Sequence, residues 1–148
     1  MELHKDFSEL LALFDAHGVE YVVVGGYALA FHGAPRYTGD LDLFVCPAPE
    51  NAHRILAALG EFGFASLNLA VEDFTQPDNI VQLGVAPVRV DIVTSIDGVT
   101  WQQASASKSF DESSKQKIPF LGRAEFVANK RASGRKKDLA DLEALGEE

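Results

Sequence analysis

The sequence predicts an α/β fold, a mixed β-sheet flanked by helices and ending in a helical C-terminus. Three observations lead there. Short β-branched runs are interleaved with segments whose apolar residues recur at helical spacing. The last 26 residues, from Arg123 on, keep helical spacing with one break, at Ser133-Gly134. A chain of 148 residues is long enough for one domain that buries roughly 68–70% of its unfolded surface.

The elements follow in order. Phe7, Leu10, Leu11, Leu13 and Phe14 mark a first helix, which Gly18 stops. Val19 to Val24 is a β-branched run ended by Gly25-Gly26 and reads as a buried strand. Tyr27 to Phe31 suits a short helix, closed by His32-Gly33 and Pro35. Asp40 to Cys46 alternates polar and apolar before turning apolar, as a strand entering a core does. Pro49 to Phe62 carries Ala52, Ile55, Leu56 and Leu59 on one stripe and reads as a helix ending near Gly60 to Gly63. Ile80 to Val85 and Val88 to Thr94 flank Ala86-Pro87 and fit a hairpin. Residues 98 to 107 suit a helix carrying Trp101, while 109 to 121 fits either a peripheral hairpin or a loop. Ala124, Phe126, Val127, Leu139, Leu142 and Leu145 then mark the two closing helices. No repeat or linker divides the chain, so one domain over 1–148 is expected, with its helical part at 122–146.

Composition narrows the function. A net charge of −9 argues against a general polyanion-binding surface. Yet residues 123–137 hold six of the thirteen basic residues against one acid, Glu125. An acidic body with one basic segment fits a metal site and a separate phosphate-binding strip; a solvated helix face fits the same composition. No apolar run approaches the ~20 residues that span a bilayer, and the N-terminus lacks a basic start followed by an apolar stretch. The lone Cys46 suits a reducing compartment. The expectation is a cytoplasmic protein without a membrane partner.

Asp40-Leu41-Asp42 is the strongest local signal. In a strand, side chains two residues apart share a face, so two carboxylates stand side by side while Leu41 and Leu43 enter the core. Such a pair repels itself unless it is solvated or a cation neutralises it. Alone, the tripeptide more often describes an exposed turn. Gly25-Gly26 adds a bare backbone where a buried strand turns into a helix, a place that suits phosphate, or simply a tight turn. Thirteen residues separate Gly26 from Asp40, enough for a short helix and a return to an adjacent strand. Asp91 projects from the face of its strand opposite Val88, Val90 and Ile92, either as a third corner of a two-metal site or paired with Arg89. Arg36 and Thr38 read as phosphate-positioning or as ordinary loop residues. His32 reads as a capping or packed histidine, Cys46 as core, and Trp101 as packing, with base stacking as its alternative.

Gly25-Gly26, then Arg36-x-Thr38-x-Asp40-Leu41-Asp42, then Asp91 in a later strand, resembles the signature of the polymerase-beta-type nucleotidyltransferase superfamily. Within it the sequence is most similar to the AbiEii/AbiGii toxin-associated nucleotidyltransferases. Ala128-Asn129-Lys130-Arg131-Ala132, followed by Arg135-Lys136-Lys137-Asp138-Leu139-x-Asp141-Leu142, resembles that group's helical motif. The likeness runs from Val19 to Leu145, weakly at 64–79 and 97–121. It implies a nucleotidyltransferase-like fold in which Asp40, Asp42 and Asp91 bind Mg²⁺ or Mn²⁺, with Asp91 also helping to activate an acceptor hydroxyl. It implies phosphate contacts from the Gly25 and Gly26 backbone, with Arg36 and Thr38 nearby, a triphosphate contact from Lys130, and a catalytic or orienting role for Asp138. Two features depart from the pattern: Gly26 stands where many relatives have serine, and the chain is shorter than many members.

The implied activity moves a nucleoside monophosphate from an NTP to an acceptor hydroxyl on an RNA 3′ end, a protein or a small molecule. The setting would be toxin–antitoxin or phage defence, with RNA such as tRNA, or a cognate protein, as partner. The competing expectations are a non-catalytic nucleotide- or partner-binding module of the same fold, and a structural role with the basic helix as docking surface.

Overall fold

A computed structural model of the chain describes residues 3–34, 39–64, 67–85 and 88–147. Among these residues, β1 (Tyr21–Val24), β2 (Asp40–Val45), β3 (Ile80–Val85), β4 (Val88–Val93), β5 (Ser109–Phe110) and β6 (Pro119–Phe120) form one sheet in the order β3-β4-β2-β1-β6-β5. The pairs β1–β2, β3–β4 and β5–β6 are antiparallel, whereas β2–β4 and β1–β6 are parallel. The helices are α1 (Lys5–Ala16), α2 (Gly25–Phe31), α3 (Pro49–Leu59), α4 (Trp101–Ser107), α5 (Arg123–Ser133) and α6 (Lys136–Ala144). The expected mixed sheet, flanking helices and helical C-terminus are all present.

Strand alternation divides the sheet into two unlike faces. Leu41 and Leu43 of β2 stand in register with Val90 and Ile92 of β4, and all four are buried, as is Val45 on the same face of β2. The apolar stripes of α1 (Phe7, Leu10, Leu11, Phe14) and α3 (Ala52, Ile55, Ala58, Leu59) join the same core. Asn51, at the start of α3, is buried because its amide replaces a strand partner. It accepts from the Glu20 N–H at 2.7 Å and donates to the Glu20 and Cys46 carbonyls at 3.0 and 2.9 Å. That one side chain ties the entry of β1 to the exit of β2.

The opposite face carries Asp40, Asp42 and Phe44 on β2, with Arg89 and Asp91 beside them on β4. Phe44 is covered by Trp101 of α4 in an edge-on contact with ring centroids 5.3 Å apart. A reciprocal cap starts α4: the Gln103 N–H donates to Thr100 Oγ1 and the Thr100 N–H to Gln103 Oε1. The acidic end of this face is left open.

Several boundaries differ from the sequence reading. The first strand begins at Tyr21, and the short helix begins at Gly25 itself, so both glycines lie in its first turn. The long helix stops at Leu59 and passes into a wider turn, Gly60–Phe64, in which Gly63 has φ 117°. The helix carrying Trp101 starts at Trp101 rather than at residue 98. The undecided segment 109–121 is a hairpin of two very short strands, and its second strand extends the sheet beside β1. A 3₁₀ turn, Val71–Phe74, lies in the stretch without a predicted element. The expected roles of Arg36 and Thr38 fall outside the described residues. No helix among the described residues is long and apolar enough to cross a membrane.

Candidate active site

The three aspartates meet through strand register. Asp42 on β2 is the direct partner of Asp91 on β4, and Asp40 is the partner of Arg89. Partners in register point to the same side of a sheet, so Asp40, Asp42 and Asp91 share one face with Arg89. The Arg89 guanidinium donates from Nε to Asp91 Oδ1 at 3.1 Å and from Nη2 to Oδ2 at 3.3 Å. Its Nε also stands 3.9 Å from Asp40 Oδ2. The pairing of Asp91 with Arg89, one of the two expectations for that residue, is therefore present, and so is the grouping of the three acids.

Asp42 is the strained member. Burial, and then the charges of Asp91 and Asp40, push its carboxyl from an ordinary 3.8 up to about 7, against the opposing fields of Lys137 and Lys130. Gly25 explains how the carboxylate fits. Gly25 follows Val24, the β1 partner of Asp42, and has φ 68°. A Cβ at Gly25 would overlap the Asp42 carboxylate, so only glycine leaves it room.

The facing wall comes from the C-terminal helices. Lys130 on α5 is buried, and its ammonium lies 3.2 Å from Asp138 Oδ1 and 3.2 Å from Asp141 Oδ2, both on α6 and both buried. Arg135 adds a 2.8 Å contact from Nε to Asp138 Oδ2, and its backbone N–H donates to the same oxygen. Burial acts to raise the Asp138 carboxyl; the hydrogen bonds from Arg135, Ser133 and Lys130 override it and hold the group well below the usual carboxylate range. The left-handed residue Gly134 (φ 61°) turns the chain between the two helices. Lys137, one residue before Asp138, is exposed, and no ion pair holds it among the described residues.

Between the walls lies a cleft of about 390 Å³, lined by Gly25, Gly26 and Asp42 on one side and by Lys130, Arg135 and Lys137 on the other. The loop from Ser95 to Asp97 forms part of its floor. Asn129 donates to the Asp97 carbonyl at 2.9 Å, and Gly98 lies so close to α5 that a Cβ there would stand 2.7 Å from Ala132 Cβ. Carboxylates facing ammonium groups across such a gap suit an anionic ligand carried with a cation. Among the described residues no three Asp, Glu, His or Cys side chains form a ready metal cage. The donor set nevertheless fits a hard divalent ion: it is all oxygen, it sets a buried Asp42 beside two further carboxylates, and Mg²⁺ takes a few carboxylates plus substrate phosphates.

Other readings are settled by contacts. His32 caps α2, donates from Nε2 to the Leu121 carbonyl at 2.7 Å and packs on Phe31 and Phe126, so it is structural. Trp101 packs on Phe44, as expected. Cys46 is half-buried at the end of β2 rather than in the core, because the strand leaves the sheet at Val45. The basic segment is not one strip. Arg123 donates to the His32 and Leu145 carbonyls, Lys130 is buried, and Arg135 is paired with Asp138. Sequence reasoning passed over Lys137 and Asn129. The signal for Lys137 was its place directly before Asp138; Asn129 had none beyond adjacency to Lys130.

The sequence matches the family described as nucleotidyl transferase AbiEii toxin, type IV TA system, over residues 10–147. The chain belongs to the AbiEii nucleotidyltransferase toxin family. A crystal structure of a Thermotoga maritima protein classed as a nucleotidyltransferase superposes with a TM-score of 0.61 at 19% identity, covering 96% of this chain and 93% of that one. At that identity the likeness shows the fold alone. No curated protein matches the sequence. As an AbiEii-family member the protein is a transferase of nucleotidyl groups, and its Asp40, Asp42 and Asp91 occupy one face of the shared fold.

Proposed function

We propose that this protein transfers a nucleoside monophosphate from an NTP to an acceptor hydroxyl with the help of Mg²⁺ or Mn²⁺, in the cytoplasm, as the toxin of a type IV pair with a cognate antitoxin. The observation that carries the reading is the direct register of Asp42 with Asp91, with Asp40 on the same face, and Asp42 itself lining a cleft whose far wall holds Lys130 and Lys137. In the reaction the acceptor oxygen bonds to the α-phosphorus, the bond from that phosphorus to the bridging oxygen breaks, pyrophosphate leaves, and the hydroxyl proton passes to a nearby base. Asp40, Asp42 and Asp91 would hold the divalent ion, which when bound neutralises developing phosphate charge. Gly25 and Gly26 would admit the triphosphate close to the backbone, and Arg36 and Thr38 are further candidates for phosphate contact. Lys137 and Lys130 set a positive field toward the leaving pyrophosphate, and Asp138 orients Lys130. The acceptor is an RNA 3′ end such as that of tRNA, a protein side chain, or a small molecule. Pyrophosphate release with Mg²⁺ and each NTP, alone and with bulk tRNA, tests the reading, and radiolabelled NTPs in a cell extract identify the acceptor. Turnover by Asp42→Ala equal to that of the parent protein would remove the basis of the proposal.

A further inference from the structure

The acidic face already carries a cation of its own. Arg89 engages both oxygens of Asp91 side-on and reaches toward Asp40, so it covers two of the three carboxylates proposed to hold metal. Side-on guanidinium pairs use the same oxygen lone pairs that a metal ion requires. The guanidinium and a divalent ion therefore compete for Asp91. Arg89 also has somewhere to go: its side chain is about one-third exposed, and its cross-strand neighbour on β3 is Gly84, which places no side chain beside it. The arginine that lines the cleft, Arg135, is by contrast fixed on the buried Asp138, as is Lys130.

We propose that Arg89 is an internal counter-ion that holds the acidic row in the metal-free protein and passes onto the substrate's phosphates when a divalent ion takes its place. This rests on the metal-dependent reading above. The consequence is thermodynamic coupling. Metal alone must displace Arg89 and leave it without a partner. Metal arriving with a triphosphate supplies the displaced guanidinium with new oxygens. Each ligand should then strengthen the other, by reciprocal factors.

The test is Mn²⁺ binding followed by electron paramagnetic resonance, with and without an α,β-methylene ATP analogue that cannot be cleaved. Arg89→Met should bind Mn²⁺ alone roughly three- to fivefold more tightly than the parent, the scale of one half-exposed ion pair. It should also lose most of the enhancement that the analogue gives the parent. Arg89→Lys keeps the charge without the side-on geometry and should fall between the two; it is the variant to read if melting in EDTA shows Arg89→Met to be poorly folded. Unchanged or weaker Mn²⁺ binding by a folded Arg89 variant, with Asp42-dependent binding intact in the parent, overturns the inference and makes Arg89 a strut for Asp91. A parent that binds no Mn²⁺ under either condition overturns the metal-dependent reading, and this inference with it.

Discussion

At the scale of single residues, the site depends on one carboxylate being kept where it is uncomfortable. Unfolded, Asp42 releases its proton near pH 3.8; folded, it holds the proton up to about pH 7. Between those values the folded chain binds more protons than the unfolded one, so stability falls as pH rises, and the loss is complete above about pH 7. Asp42→Asn removes the charge that burial and Asp91 penalise. Its melting temperature in EDTA should exceed the parent's at pH 8, by ~2–4 °C for each kcal/mol relieved, and the two should converge near pH 4. A parent curve that is flat between pH 4 and 8 contradicts the shift. Gly25 offers a second check. Gly25→Ala adds strain at φ 68° and pushes a methyl into the Asp42 carboxylate. Pyrophosphate release should fall at least about tenfold, the effect of misplacing a catalytic group by an ångström or less. Gly33→Ala is the control: it adds strain at φ 108° but meets nothing within 4 Å, so it should lower stability and spare activity.

At the scale of elements, α5 and α6 are joined by charge as much as by apolar contact. Lys130 bridges Asp138 and Asp141, all three buried. Removing the cation leaves two buried carboxylates without it, so Lys130→Met should destabilise by ~3–5 kcal/mol, the range for breaking buried pairs. Lys137→Ala should leave the melting temperature nearly unchanged, since the side chain is exposed. It should weaken binding of an NTP analogue roughly tenfold, as loss of one charge-assisted hydrogen bond does. Calorimetry and analogue titration on the two variants separate the strut from the substrate contact; the reverse pattern would exchange their roles. The same pair marks the limit of what the sequence reveals. The Asp40-Leu41-Asp42 and Val90-Asp91-Ile92 patterns were legible because a period of two assigns faces without knowledge of the partner strand. The stripes of α1 and α3 were legible for the equivalent reason at helical period. β5 and β6, at two residues each, are too short to show any period. A run of basic residues says nothing of which cation turns inward, so the family likeness singled out Lys130 for the triphosphate, while its burial and the exposure of Lys137 show only once the helices are packed. Asn51 was invisible because its burial depends on three backbone groups of Glu20 and Cys46, just outside the ends of two strands.

At the scale of the whole molecule, the proposed RNA acceptor raises the question of how a protein of net charge −9 would meet a polyanion. Read as sequence, residues 123–137 offer six cations to a nucleic-acid backbone. Folded, three of them have internal work: Arg123 fastens the chain end through the Leu145 carbonyl and Glu147, Lys130 is buried, and Arg135 is held on Asp138. Arg123 and Arg135 stay exposed while engaged in this way; Arg131, Lys136 and Lys137 are the other exposed cations of the segment. Counter-ion release makes the logarithm of affinity fall with the logarithm of salt concentration by ~0.7–0.9 per phosphate neutralised. Six contacts would give a slope of about −4 to −5, and three about −2 to −3. Filter binding of bulk tRNA across a KCl series should therefore give the shallower slope, with affinity weakened further by the acidic body. A slope near −5 would mean that the internal pairs open when RNA binds, and it should then vanish in a charge-reversed Lys136→Glu/Lys137→Glu variant only in part. A slope of about −2 to −3 that Lys136→Glu/Lys137→Glu abolishes would assign the contact to the start of α6, beside the cleft in which the triphosphate is proposed to sit.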